Sequence, residues 1–229
     1  MTKEKLISFL IGEGYLKNQN IIRAFEKVDR ADFVPDDQKE YAYENRPLPL
    51  FGGKAAISQP LVVAFMLELL DPRSGEKILE IGTGSGWQTA LLSCLVCNLE
   101  FEEKSPEEKN VKKILSQNGV CGHVVSIERE SDLKKFAEEN LKKYCITDKG
   151  IVTLLCRNGL RGYKKESPYD KIISGAAPKE VPNEWKKMLK IGGRMVFPMG
   201  QSIFALEKTG KNSFSEKSYF GFSFQELIS

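Results

Sequence analysis

Apolar and polar positions along this chain switch repeatedly between the period of a strand and that of a helix. Lys77-Ile-Leu-Glu-Ile81 is short, largely apolar and β-compatible, as a buried central strand would be. Trp87 to Ser93 follows, rich in helix formers and free of Gly and Pro. His123–Glu128, Ile151–Cys156, Pro168–Gly175 and Arg194–Pro198 read as four further strands. Between them, Asp132–Tyr144 places Leu133, Phe136, Ala137 and Leu141 on one helical face, and Val181–Leu189 reads as a helix closed by Gly192-Gly193. Residues 1–34 look helical and amphipathic, with Ile21, Ala24, Phe25 and Val28 on one face docking over the sheet. Pro35 and Asp36-Asp37 then end or redirect the chain. Tyr41–Phe51 is proline-broken and extended, and residues 52–60 form a loop leading into Leu61–Leu70, a helix apolar enough to be buried. Gln201–Glu207 and Tyr219–Phe224 read as a final antiparallel pair, with Lys208–Lys217 as their turn. The alternation predicts an open α/β sheet with helices on both faces.

Composition narrows the class without naming a ligand. With 229 residues, 41% hydrophobic and 28% charged, the chain can bury one sizeable core, and one domain is expected. Its 34 basic and 31 acidic residues give a net charge of +3, which argues for neither nucleic acid nor a membrane surface. The early apolar run Leu6–Ile11 is too short for a signal core or a membrane span, so a cytoplasmic protein is expected. The five cysteines are then expected to be reduced thiols. Cys94, Cys97, Cys121 and His123 could hold zinc, but their spacings match no standard finger, and buried thiols are the better reading. The polar run Glu100–Lys109 marks a surface excursion over 95–122, with Val111, Ile114 and Leu115 hinting at a short helix.

The chemistry concentrates where the first strand ends. Gly82-Thr-Gly84-Ser-Gly86 puts three glycines in five residues between a strand and a helix N-terminus. Glycine accepts backbone angles that a Cβ forbids and lets a ligand approach the main chain, so this is a nucleotide-type binding corner. No Gly-Lys-Ser/Thr follows, and the loop reads G-x-G-x-G where a dinucleotide fingerprint reads G-x-G-x-x-G. Glu80 could face a cationic amino group, which S-adenosylmethionine carries beside its sulfonium. Glu128, ending the second strand, could take ribose hydroxyls; the usual spacing from the glycines is about 20 residues, and the 95–122 excursion accounts for the longer gap. Ser58 or Gln59 lies near the N-cap of the helix that Pro60 begins, and Ser58 could be a capping hydroxyl or have a chemical role.

Several segments together resemble the protein-L-isoaspartate (D-aspartate) O-methyltransferase family. They are Val28-Asp-Arg-Ala-Asp-Phe-Val-Pro35, Gly53-Lys-Ala-Ala-Ile-Ser-Gln-Pro60 and Leu79–Leu92, then Val125-Ser-Ile-Glu-Arg129, Pro168–Ile173 and Leu189–Gly200. The Ile57-Ser-Gln-Pro60 element discriminates, because generic methyltransferases share the glycine loop without it. The resemblance implies a class I S-adenosylmethionine-dependent methyltransferase (Rossmann-like) sheet with helices on both faces and a C-terminal antiparallel strand pair. It implies N-terminal helices and a substrate loop over 1–60, and a core over 61–229. Ser58 would be the active-site serine, and no metal is expected. Ile57, Glu80, Gly82, Thr83, Gly84, Ser85, Gly86, Glu128, Asn158 and Gly159 would line S-adenosyl-L-methionine, with S-adenosyl-L-homocysteine as product. Asn158 stands where the family usually has Asp, whose acid accepts the adenine amino group; an amide oxygen can accept that bond too.

By the same resemblance, the substrate is an isoaspartyl- or D-aspartyl-containing protein or peptide, and the chain is a monomer. A carboxylate with a pKa near 4 is already ionised at neutral pH, so accepting a methyl group needs no general base. The loop 53–60 would close over both ligands while Ser58 orients the carboxylate. The ester would then lose methanol to give a succinimide, with partial return to aspartate. Three rival readings are a tailoring methyltransferase for one dedicated peptide, a binding module without turnover, and a methyltransferase of RNA or a small molecule.

Overall fold

The computed structural model describes residues 1–53, 55–102, 113–116, 120–224 and 227. The chain opens with α1 (Lys3–Gly12) and α2 (Gln19–Lys27), each begun by a side chain that accepts a main-chain N–H: Thr2 from Lys5 and Asn18 from Asn20. Two 3₁₀ turns, Arg30–Phe33 and Asp36–Tyr41, lead to β1 (Leu48–Leu50), which pairs antiparallel with β2 (Ala55–Ile57). The expected loop at 52–60 therefore contains a strand. Pro60 starts α3 (Pro60–Leu70), where its missing N–H costs nothing.

The core follows as β3 (Lys77–Ile81), α4 (Trp87–Cys97), the hairpin β4 (Leu99–Glu102) and β5 (Lys113–Ser116), then β6 (His123–Glu128), α5 (Ser131–Lys142) and β7 (Val152–Cys156). It ends with β8 (Tyr169–Ser174), α6 (Asn183–Met188), β9 (Leu189–Met199), β10 (Ser202–Lys208) and β11 (Phe214–Phe220). Seven strands form one sheet in the order β11-β10-β9-β8-β3-β6-β7. The five from β9 to β7 run parallel, and β10 and β11 add the antiparallel pair. From β3 the chain moves outward through β6 and β7, then returns to β8 on the other side of β3. That reversal leaves a crevice at the carboxyl ends of β3, β6 and β8.

Both faces of the sheet are covered, which explains why its strands read as apolar runs. Ile78, Val124, Ile173 and Val196 join a core with α1 to α5, while Leu79, Ile81, Val125, Ile127 and Ile172 pack with Trp185 and Met188 of α6. The pattern misplaced some boundaries. Gly192-Gly193 does not close a helix: it lies inside β9, where the register against β8 shifts. The final turn is shorter than expected, because β10 and β11 pair from Lys208↔Phe214 onward. Ile114 and Leu115 lie in a strand; Val111 and most of the polar run fall outside the described residues.

One expectation is overturned. Cys97 and Cys121 form a disulfide with Cα atoms 4.1 Å apart. The last turn of α4 and the lead-in to β6 meet because Val96 O accepts both Gly75 N–H (2.8 Å) and Gly122 N–H (2.9 Å). Sequence spacing could not reveal this, since the intervening 24-residue separation closes only when the β4–β5 hairpin folds back. Closing such a loop stabilises by about 3 kcal/mol. Calorimetry with and without dithiothreitol should therefore show the midpoint fall by on the order of 10 °C on reduction. A Cys121→Ser variant should be insensitive to the reductant. An unchanged midpoint in the parent protein would show that the pair is not oxidised.

Candidate functional site

β3 stops at Ile81 and the chain turns through Gly82 (φ 87°), Gly84 (φ 57°) and Gly86 (φ 88°) before α4 begins. L side chains rarely adopt those angles, so the glycines are required by the turn itself. The turn is bonded to β6: Gly82 N–H and Thr83 N–H donate to Ile127 O at 2.8 and 3.3 Å. Gly84 N–H donates to Glu128 Oε2 at 2.9 Å. Above it opens a cavity of about 200 Å³. Gly82, Thr83, Gly84 and Ser85 make its floor, and Ile127, Glu128, Arg129, Glu130 and Leu133 make one wall. Ala55, Ala56, Ile57 and Ser58 make the opposite wall with Val63, while Ile81, Trp87, Gln88, Gly159, Gly175, Ala176 and Leu227 complete the lining.

Segments far apart in sequence, carrying Ile57, Ser58, the glycine turn, Glu128 and Gly159, thus converge on one cleft. Ser58 is not the helix cap: Gln59 occupies that position and makes no side-chain capping bond. Glu128 is buried, with Oε2 on the glycine turn and Oε1 accepting the N–H groups of Arg129 (2.8 Å) and Glu130 (3.1 Å). These bonds use three of the carboxylate's roughly four acceptor positions, and Oε2 keeps one for a ligand's hydroxyl. Gly159 is held by Trp185 Nε1, which donates to its carbonyl at 3.0 Å, and a Cβ there would collide with Ile81 Cγ2.

Three expected site residues lie outside the lining. Glu80 is fully buried behind the floor, its carboxylate accepting from Thr89 Oγ1 (2.5 Å), Ser126 Oγ (2.6 Å) and Gln88 Nε2 (3.0 Å). It is linked to the cavity lining through Gln88 directly and through Ser126 to Thr83. Gly86 faces α5, where a Cβ would stand 3.2 Å from Leu141 Cγ. Asn158 turns its Oδ1 to Leu160 N–H (2.9 Å), capping the short turn Gly159–Arg161.

Several wall residues carry little functional signal in the amino-acid sequence. Trp87 and Gln88 sit in the glycine segment, and periodicity marks Leu133 only as an inward-facing helix position. Leu227, whose N–H donates to Ala177 O at 2.7 Å, carried no signal at all. S-adenosylmethionine suits what is present: a buried carboxylate acceptor, apolar flanks from Ile127 and Leu133, and open space at Gly84, where an added Cβ would meet nothing within 4 Å. The one histidine, His123, is not among the lining residues; its ring nitrogens pair with Gly150 O and Thr153 Oγ1, both at 3.0 Å.

Known proteins point the same way. Residues 1–228 match the family model "Protein-L-isoaspartate(D-aspartate) O-methyltransferase (PCMT)". A protein-L-isoaspartate O-methyltransferase of Methanopyrus kandleri is 36% identical over 230 residues, covering 99% of this chain and 91% of that protein. One from Ignicoccus hospitalis is 41% identical over 197 residues, covering 86% and 81%. At the level of fold, a structure described as a protein-L-isoaspartate O-methyltransferase from Plasmodium falciparum, in complex with S-adenosyl-L-homocysteine, superposes with a TM-score of 0.80. It is 19% identical and covers 100% of this chain and 99% of that one.

Glu80 makes the site's framework pH-sensitive. Burial pushes its carboxyl from 4.5 up to about 7, against the lowering effect of the bonds from Ser126, Thr89 and Gln88. Between those two values the folded chain holds a proton that the unfolded chain has released, so this group's contribution to stability is lost as pH rises through about 7. Glu80→Gln cannot titrate. Thermal melts from pH 5 to 8 should show stability falling more steeply with pH in the parent than in Glu80→Gln; parallel curves would rule out the raised value.

Proposed function

We infer the function from membership: the chain belongs to the protein-L-isoaspartate (D-aspartate) O-methyltransferase family. Its activity is S-adenosylmethionine-dependent methylation of the carboxylate of L-isoaspartyl and D-aspartyl residues in damaged proteins and peptides, the step that initiates their repair. The observation that best supports a residue-level account is the convergence of Ser58 and the glycine turn on one cavity. One methyltransferase domain of 229 residues, monomeric and cytoplasmic, is the organisation we propose with it. Among the described residues no helix is long and apolar enough to cross a membrane.

When bound, S-adenosylmethionine supplies a methyl group activated by its sulfonium. The chain's part is to bind, orient and exclude water. Gly82, Thr83, Gly84 and Ser85 form the bed, with Glu128 as acceptor for a hydroxyl and Ile57, Ile127 and Leu133 as apolar flanks. Gly159 adds backbone that no larger residue could bring as close. Ser58, on the opposite wall, donates a hydrogen bond to the isoaspartyl carboxylate and fixes its direction. No side chain need remove a proton, because the accepting carboxylate is ionised at neutral pH.

Glu80 and Gly86 take supporting roles in this account, the first holding α4 against the sheet and the second turning the chain into it. Asn158 positions Gly159 through its bond to Leu160 N–H. A tailoring enzyme for one dedicated peptide would use the same walls, and substrate breadth separates the two.

Methyl transfer from labelled S-adenosylmethionine should reach an isoaspartyl peptide and spare its aspartyl twin. Ser58→Ala should lower kcat/KM by on the order of a hundredfold, the cost typical of losing one preorganised donor. Unchanged efficiency would remove Ser58 from the mechanism. Calorimetric titration of Glu128→Gln should show cofactor affinity weakened by roughly tenfold, with peptide KM little changed. Equal affinity would place the hydroxyl-binding groups elsewhere.

A further inference from the structure

The guanidinium of Arg30 is sealed in the protein, with 2% of the residue exposed. Nη1 donates to Ala42 O (2.7 Å) and Glu44 O (3.2 Å), and Nη2 to Arg46 O and Ser58 O, both at 3.1 Å. All four acceptors are main-chain carbonyls. Three belong to the turn before β1, and the fourth is the carbonyl of the serine on the cavity wall. The guanidinium also lies over the Trp87 ring, Cζ 5.2 Å from its centroid, and Trp87 lines the same cavity from the other side.

Burial, with Arg46 nearby, pulls the Arg30 pKa down to about 9, a sign of how much solvation the charge has given up. A buried cation held only by neutral carbonyls is an expensive way to stabilise a fold, and an apolar side chain of similar volume often serves as well. Geometry is what Arg adds. Its planar fork presents fixed donors in one plane, which a lysine ammonium cannot reproduce. The residues flanking Arg30 in the chain are held as well. Asp29 Oδ1 accepts from Ala31 N–H (3.0 Å) and Tyr43 OH (2.7 Å), and Tyr144 OH donates to Asp32 Oδ2 (2.6 Å). The turn is tied to the loop a second time: Gln59 Nε2 donates to Asn45 O, and Leu61 N–H to Asn45 Oδ1, both at 3.0 Å.

We propose that Arg30 is a positioning residue for methyl transfer: by clasping the Ser58 carbonyl and stacking on Trp87, it sets where the Ser58 hydroxyl stands relative to the cofactor side of the cleft. The proposal rests on the reading of Ser58 given above. A small displacement of a correctly built site can cost on the order of a hundredfold in rate, so the effect should appear in turnover. Cofactor binding should be affected far less than turnover, because Gly82–Ser85 and Glu128 make no hydrogen bond to the fork, which reaches that side of the cleft only through the Trp87 ring and the residue next to Ile57.

The test compares Arg30→Lys, Arg30→Met and Ser58→Ala for kcat and KM with an isoaspartyl peptide, for S-adenosylhomocysteine binding by calorimetry, and for thermal midpoint. Arg30→Met removes the buried charge and keeps an unbranched apolar side chain, so it tests the role in a protein relieved of the desolvation cost. The expected result is a kcat reduced by on the order of a hundredfold in both Arg30 variants, with lysine giving no rescue and the homocysteine Kd within about threefold of the parent. Full turnover in Arg30→Lys or Arg30→Met overturns the proposal. So does a parallel collapse of cofactor affinity and cooperative melting in both, which would make Arg30 a purely structural residue. If Ser58→Ala is fully active, the reading of Ser58 fails; if it is impaired while the Arg30 variants are not, only the present inference fails.

Discussion

A single buried carboxylate ties together the parts on which the site is built. Glu80 lies on the central strand, accepts from Ser126 on the neighbouring strand, and accepts from Thr89 and Gln88 on the helix that follows the glycine turn. Thr83, inside that turn, pairs with Ser126 Oγ at 2.6 Å. Strand, turn, helix and adjacent strand are therefore fixed by one polar cluster in an apolar interior. Low local polarity strengthens each of those bonds and makes any missing partner costly, so the corner has little freedom to deform. That rigidity suits a turn of three left-handed glycines, which is braced from within by Thr83 alone in this cluster.

The opposing wall is assembled on a different principle. Residues 28–61 contain only short elements, and their cohesion comes from side chains reaching main-chain groups. Arg30 collects four carbonyls, Asn45 ties turn to loop, and Asp29 and Asp32 engage Tyr43 and Tyr144. This segment has few backbone ladders, so it depends on such contacts for definition. It carries Ser58, while the glycine turn and Glu128 of the same cavity belong to the sheet side. The cavity is the space between a wall fixed by the sheet and a wall fixed by side-chain clasps.

That division suits the chemistry. Transfer of a methyl group to an ionised carboxylate calls for alignment and dryness in place of proton transfer. The walls present a hydroxyl, a carboxylate held by main-chain N–H groups, and apolar surface, and the single histidine is engaged elsewhere in the fold. The disulfide between Cys97 and Cys121 lies outside this machinery. It fastens the far end of the helix that starts at the site to the lead-in of β6.

The order of strands and helices was legible in the amino-acid sequence, because a sheet covered on both faces imposes apolar runs and its helices impose a 3.6-residue period. The glycine turn was legible as well, since three glycines between a strand and a helix have few other uses. Residues from separate motifs, such as Ser58, Gly84, Glu128 and Gly159, meet around one cleft. Tertiary structure alone decided which of the motif residues face it. Glu80 and Gly86 belong to the same short segment as Gly84, yet strand pleat and helix start turn one into the core and the other toward α5. It also decided the Cys97–Cys121 bond, the glycine pair inside β9 and the place of Leu227, since each depends on segments that meet only after the chain has folded. Arg30 follows the same rule: its place in the sequence says nothing of burial, and only the convergence of four carbonyls around it shows where its guanidinium lies.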